Sequence, residues 1–264
     1  MNKFQFILVS VFALNNAIAF ENQCTSDVQH ARILGSNKGH SLGFTLGYYA
    51  YKEPSLMALK GALAGIDYTA TVPFSRGFFF KGDVRFAFGR HKYSSQSTGT
   101  HNNNPTYYYE MRPLFGKDFI LSNQSISPFT GLGCRFLHHD GYGARSSTGH
   151  YGYHRTNTMI YIPVGLTHSF AFDEFSKIQT TIEYDQMIYG RQYSGIDVDN
   201  SGKGISHKQK KGFGARFSTE YYQNKWSIGP YITYWNIAES DVQKGYIEPK
   251  NNTIEAGLKV AYTF

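Results

Sequence analysis

From Leu42 to the C-terminal Phe264 the chain alternates apolar residues with polar or small ones, in stretches of ten or so residues separated by breaks. Side chains of an extended strand point alternately to its two faces, so a period of two gives each strand one apolar face and one that is not. The last stretch is the clearest. Ile254, Ala256, Leu258, Val260, Tyr262 and Phe264 share one face, and Glu255, Gly257, Lys259, Ala261 and Thr263 share the other. Upstream, Phe78, Phe80, Val84, Phe86 and Phe88 oppose Lys81, Asp83 and Arg85. Ile178, Thr180, Ile182 and Tyr184 oppose Gln179, Thr181, Glu183 and Asp185, and Phe213, Ala215, Phe217, Thr219 and Tyr221 oppose Gly214, Arg216, Ser218 and Glu220.

The pattern predicts strands at 42–52, 61–72, 77–92, 106–118, 126–138, 156–170, 176–190, 209–222, 225–238 and 252–264. Ten is an even number, so both ends of the sheet fall on one side. The connections also alternate in length. Short ones cover 73–76, 119–125, 171–175 and 223–224, and long ones cover 53–60, 93–105, 139–155, 191–208 and 239–251. Short turns at one end and long loops at the other are the plan of a membrane barrel, and a soluble sandwich has no reason to sort its loops this way. The predicted fold class is all-β: an antiparallel, transmembrane, up-and-down β-barrel of about ten strands, with eight as the competing count. Pro113, Pro128, Pro163 and Pro230 argue against some of these boundaries, because proline cannot donate to a ladder.

No apolar stretch after the first twenty residues approaches the ~20 residues of a transmembrane helix, whereas nine to eleven tilted residues suffice for a strand. The N-terminus reads as an export signal: Lys3, an apolar run from Phe6 to Leu14, and the small-x-small site Ala17-Ile18-Ala19. Residues 1–19 are therefore expected to be removed. Cys24 and Cys134 are the two cysteines, and both a disulfide and two free thiols fit their spacing.

The non-apolar faces carry Asp67, Asp83, Glu110, Glu183, Asp185, Glu220 and Glu255 against Lys81, Arg85, Arg112, Arg135, Arg216 and Lys259. Small barrels are filled by their own side chains, and buried charges persist when they are paired. These thirteen residues are expected to form an interior charge network that leaves no wide pore.

The ladder ending Val260-Ala261-Tyr262-Thr263-Phe264 resembles the terminal signal of bacterial outer-membrane β-barrel proteins, and the loop plan of the remaining chain looks like that of their small members. The resemblance implies export to the outer membrane. It also implies that the barrel-assembly machinery reads Leu258, Val260, Tyr262 and Phe264, and that outer-membrane lipid and lipopolysaccharide are partners. Residues 20–41 then form a periplasmic N-terminal extension and 42–264 the barrel. Ten strands is also the count of the omptin proteases, which set paired acidic residues and an Asp–His pair at the rim. Matching pairs are not evident here, where Asp197 and Asp199 share one loop and His138, His139 and Asp140 another.

Four groups of residues offer chemistry. His138, His139, Asp140, His150 and His154 are metal-ligand types, but their spacing matches no zinc signature, and exposed loop histidines are the simpler reading. His207, Lys208, Lys210 and Lys211 form a candidate anion-binding cluster for lipopolysaccharide phosphates or an acidic glycan, or simply a solvated basic rim. Gly89-Arg90 and Gly190-Arg191 recur at two strand tops, which would set each arginine at headgroup level. Asp197 to Gly202 begins like a calcium loop but lacks the closing glutamate. No phosphate-binding glycine loop and no nucleophile elbow is present. No metal, cofactor or nucleic-acid partner is expected. The expected function is a structural or surface-interaction barrel acting through its external loops on an extracellular ligand, with a narrow porin-like channel and a barrel-rim hydrolase as alternatives.

Overall fold

The computed structural model describes residues 33–36, 38–196 and 204–264. The signal at 1–19, most of the extension, Cys24 and the 197–202 motif lie outside these or run beyond them. The strands are β1 (Gly39–Glu53), β2 (Met57–Pro73), β3 (Phe78–Ser95), β4 (Gly99–Lys117), β5 (Phe119–Leu121), β6 (Gln124–Gly131) and β7 (Gly133–Asp140). They continue with β8 (His154–Ala171), β9 (Ser176–Ser194), β10 (Ile205–Gln209), β11 (Gly212–Gln223), β12 (Trp226–Ile237) and β13 (Asn251–Thr263). Neighbours pair antiparallel throughout, and β13 pairs with β1 from Ser41↔Thr263 to Lys52↔Asn252, which closes the sheet. Closure leaves no sheet edge and satisfies the ladder without water.

Three interruptions, at Asp118, at Leu132 and at 210–211, each divide one span into two segments, so thirteen segments make ten spans. The fold is the closed ten-strand antiparallel barrel that the alternation predicts, and the eight-strand alternative falls. The break at Leu132 has a direct cause. Leu114↔Gly131 on one side and Val164↔Thr130 on the other set Pro113 opposite Leu132 and Pro163 opposite Gly131, so both neighbouring strands lack a donor at or beside the break. Leu132 N–H still reaches the Pro113 carbonyl at 3.1 Å, and Thr130 Oγ1 donates to the Pro163 carbonyl at 2.8 Å. All four prolines thus lie inside strands. A bulge in β9 falls at Ile188, between the pairs Ile160↔Tyr189 and Tyr161↔Met187, and switches the alternation of that strand.

One barrel end carries connections 74–77, 122–123, 172–175 and 224–225, together with Gly39 and Phe264. Ser122 and Asn224 adopt positive φ (52° and 55°) in the two-residue turns, the geometry such hairpins need. The opposite end differs from the sequence reading in two places. The expected loops at 53–60 and 93–105 are three-residue turns, 54–56 and 96–98, because the strands run on past the apolar belt. Buried Tyr51, Glu53, Leu59 and Leu63 keep the inward alternation going there. Only 141–153, 195–204 and 238–250 remain long connections at that end. β1 likewise begins at Gly39, three residues before its expected start.

The outer wall is apolar. Phe44 and Leu46 are 59% and 67% exposed, with Ile66, Val84, Met111, Val164, Ile182, Ile228 and Leu258 exposed around the same wall. Ring pairs flank this belt: Trp226–Tyr262 and Phe170–Phe172 toward the short-turn end, Phe86–Tyr109 and Tyr184–Phe213 toward the other. Cys134 also faces outward, exposed.

Candidate functional site: a charge-filled lumen and a basic outer collar

Inward alternation from seven spans delivers the charges to the barrel axis. Arg85 of β3 donates to Asp67 of β2 at 2.8 Å and to Glu255 of β13 at 2.5 Å. Its Nε donates to Tyr108 Oη at 2.6 Å, and the hydroxyls of Tyr108 and Tyr231 both donate to Glu255, at 2.8 Å each. Across the lumen Arg216 of β11 forks onto Glu110 of β4 at 2.8 and 2.7 Å, and its Nε reaches Asp185 at 2.7 Å and Glu183 at 3.2 Å. Arg112 continues the chain to Glu183 at 2.8 Å and Asp83 at 3.6 Å. Nearer the short turns, Lys81 meets Asp83 at 3.8 Å and Lys259 meets Glu220 at 3.4 Å. Arg135 stands opposite Glu110 in register and lies 4.3 Å over the Tyr108 ring.

All thirteen residues of the expected network therefore face the lumen, and twelve of them form ion pairs. Bidentate and shared carboxylate–guanidinium contacts are the strong class of hydrogen bond, and the hydroxyls of Tyr108, Tyr161 and Tyr231 add further partners on Glu255 and Glu110. The cations bridge strands far apart in sequence, so the network crosses the lumen like a set of struts.

A second group, not anticipated from sequence, closes the long-loop end. Arg155 of β8 pairs with Glu53 of β1 at 2.5 Å and with Glu248 of the 238–250 loop, all three side chains being buried. Tyr51 Oη donates to Glu53 at 2.9 Å. Burial pushes the Glu248 carboxyl up from its ordinary range, against the pull of Arg155 and with the repulsion of Glu53. The loop is held further by the Glu248 N–H to Ser240 Oγ (2.8 Å) and by Gln209 Nε2 to the Ala238 carbonyl (3.4 Å). Glu53 had a signal, since it shares the inward parity of Tyr49 and Tyr51. Glu248 had none, because a loop residue has no periodicity to read.

The loop histidines do not converge. His138 faces outward, stacked on Tyr107 at 4.9 Å, while His139 faces inward with its Nδ1 at 3.0 Å from Thr106 Oγ1. Asp140 accepts from the Tyr142 N–H at 3.1 Å. Successive strand residues alternate faces, so neighbours in sequence point apart. Among the described residues no three His, Cys, Asp or Glu side chains come together as metal ligands.

The candidate anion cluster is likewise divided. His207 is buried and faces the lumen, with its Nε2 at 3.2 Å from the Tyr246 carbonyl. Lys208 faces outward, Lys210 pairs with Asp241 at 2.6 Å, and Lys211 is exposed. The four therefore do not share one surface, and this corrects the sequence reading. Outside, Lys208 stands directly opposite Arg191. A larger basic patch lies on β1–β3, where exposed Lys60 stands opposite exposed Lys92, with Arg90 two residues along and Lys52 on the adjacent strand. None of these four cations has an acidic partner within 4 Å among the described residues. Arg90 and Arg191 thus sit in the two patches, which form a discontinuous collar above the apolar belt.

No protein-family model matches the sequence, and the search of curated proteins finds no match. Solved structures do match. The outer membrane protease OmpT from Escherichia coli aligns over 86% of this chain and 97% of its own, at a TM-score of 0.59 and 12% identity. This chain has the fold of a bacterial outer-membrane barrel. The translocator domain of the autotransporter NalP from Neisseria meningitidis covers 92% of this chain and 99% of its own, at TM-score 0.48 and 13% identity. Ail of Yersinia pestis covers 86% and 100%, at TM-score 0.32 and 10% identity. At such identities the likeness is one of fold.

Proposed function

We propose that this chain resides in the bacterial outer membrane as a closed, charge-filled barrel, and that it works as a structural and surface-interaction protein through its long-loop end rather than as a conduit. The observation that carries the reading is the lumenal network around Arg85 and Arg216. Opening a pore through it means separating guanidinium groups from carboxylates in a low-dielectric interior, which is costly. The rim-hydrolase alternative lacks support from geometry, because His139 and Asp140 point to different sides. The narrow-channel alternative meets the same barrier at Arg85 and Arg216.

Partners follow from the outer wall. Like charges set directly opposite on a sheet destabilise it. The Lys60–Lys92 and Arg191–Lys208 pairs therefore call for counter-anions, and lipopolysaccharide phosphates at the edge of the apolar belt supply them. Loops 141–153, 195–204 and 238–250 are the surfaces for an external ligand, and Leu258, Val260, Tyr262 and Phe264 the signal for the barrel-assembly machinery. Cell fractionation with a heat-modifiable gel shift tests the placement. Recovery in the outer-membrane fraction, with a folded form that migrates faster before boiling, is expected, and recovery in the soluble periplasmic fraction would overturn the proposal.

A further inference from the structure

The short-turn end of the barrel is crossed by the chain's own N-terminal segment. Leu34 is 2% exposed although it precedes the first strand. Ser125 Oγ donates to the Leu34 carbonyl at 3.1 Å, and Lys177 Nζ donates to the Ile33 carbonyl at 2.9 Å. The Ser36 N–H and Oγ both donate to the Asp118 carboxylate, at 2.6 and 3.0 Å, and Ser127 Oγ steadies the same carboxylate at 2.6 Å. Asp118 occupies the interruption between β4 and β5.

The location of these anchors gives the segment its meaning. Counting spans round the barrel with β1 as the first, Ser125 lies on the fifth and Lys177 on the seventh, on either side of β8, the span opposite β1. Residues only a few positions ahead of Gly39 are therefore held against the far wall. Buried backbone groups require partners, and the barrel provides them from side chains on three spans. Ile33-Leu34 is also the first adjacent pair of aliphatic side chains after the predicted export signal, in a segment otherwise polar.

Above this segment lies a cavity of about 410 Å³, lined among others by Lys81, Asp83, Lys177, Ser218, Glu220 and Lys259. Ile33 to Ser36 form part of its wall. The strut network bounds it toward the barrel middle, where Arg85, Arg112 and Arg216 also line it. We propose that Ile33–Ser36 is a strap that shuts the periplasmic mouth of the barrel, and that its release opens this vestibule to small polar solutes from that side. The vestibule is a blind chamber. It admits solutes of either charge, since its walls carry both signs, and the struts prevent onward passage. The strap is thus a closure built from the same chain, distinct from the loop 238–250 contact at the other end.

The test places a thiol probe in the vestibule. Ser218→Cys is introduced into a Cys24→Ser, Cys134→Ser background, and the refolded full-length mature chain in detergent is treated with a small charged methanethiosulfonate reagent. Labelling of the strapped protein should be slow. Asp118→Ala removes two strap hydrogen bonds, each worth about a factor of five in equilibrium, and should raise the rate by at least about fivefold. Removing residues 20–36 should raise it further. Glu248→Gln, at the opposite end, should leave it unchanged. If Asp118→Ala loses the heat-modifiable shift of a folded barrel, Ser125→Ala replaces it. Fast labelling of the strapped protein, or a rate unaffected by both the anchor variant and the truncation, would overturn the proposal. An increase with Glu248→Gln alone would do so too, because access would then come from the long-loop end. None of these outcomes depends on whether the struts block conduction.

Discussion

Replacing Arg216 with Met should destabilise this barrel more than any substitution on its outer wall. The Arg216 guanidinium holds Glu110 through two hydrogen bonds, Asp185 at 2.7 Å and Glu183 at 3.2 Å, and its side chain is 15% exposed. Arg112 still serves Glu183 after the change, so Glu110 and Asp185 are the carboxylates left without an ion pair within 4 Å among the described residues. Removing one partner of a buried pair typically costs ~3–5 kcal/mol, because the surviving charge is stranded. Met preserves much of the aliphatic volume, so the loss reports charge rather than a cavity. Urea unfolding in lipid vesicles, followed by tryptophan fluorescence, measures it. Trp235 lies 5.7 Å from the guanidinium and senses the site directly, while Trp226 reports from the lipid face. Adding Glu110→Gln should recover at least ~1 kcal/mol in a double-mutant cycle, since contacting charges couple. A cost below ~1 kcal/mol for Arg216→Met, with no coupling to Glu110, would refute the view that these struts hold the lumen together.

Other consequences are open to measurement. Cys134 faces the apolar exterior, so a lipid-soluble maleimide should label it in vesicles while a charged, water-soluble reagent should not, and mass spectrometry reads both. Glu248 sits above its ordinary range, and a raised carboxyl favours the docked loop when protonated. Docking of 238–250 should therefore be strongest at acidic pH and weaken as pH rises through the raised value. Protease cleavage within that loop should increase over the same window, and Glu248→Gln should flatten the dependence. Reversing the larger patch of the collar with Lys60→Glu and Lys92→Glu should reduce the thermal stabilisation by lipopolysaccharide while leaving stability in neutral detergent within about 1 kcal/mol.

Much of the barrel was legible because a one-sided strand writes its faces directly into the sequence. The ladder from Ile254 to Phe264 and the thirteen inward charges follow from parity alone. Parity failed where residues were inserted into the alternation. The bulge at Ile188 switches the face of β9 and sets Arg191 outside, and the interruption at 210–211 leaves Lys210 and Lys211 both outside, while ordinary alternation separates buried His207 from Lys208. Strand ends were misjudged at 53–60 and 93–105, because the extra turns of ladder above the belt no longer have an apolar outer face to announce them. Lys52, Lys60, Arg90 and Lys92 occupy that outer face, and Lys60 reads as a loop charge. The strap and Glu248 were not legible at all, since their places depend on single long-range hydrogen bonds and ion pairs rather than on a repeat.

Planar-bilayer recording of the refolded chain bears most directly on a barrel closed by its own charges. Native protein should insert without a stable open level. Arg85→Gly combined with Arg216→Gly removes both struts, and should produce discrete openings if the protein remains folded by gel shift. A large, steady conductance from the native chain would contradict the account.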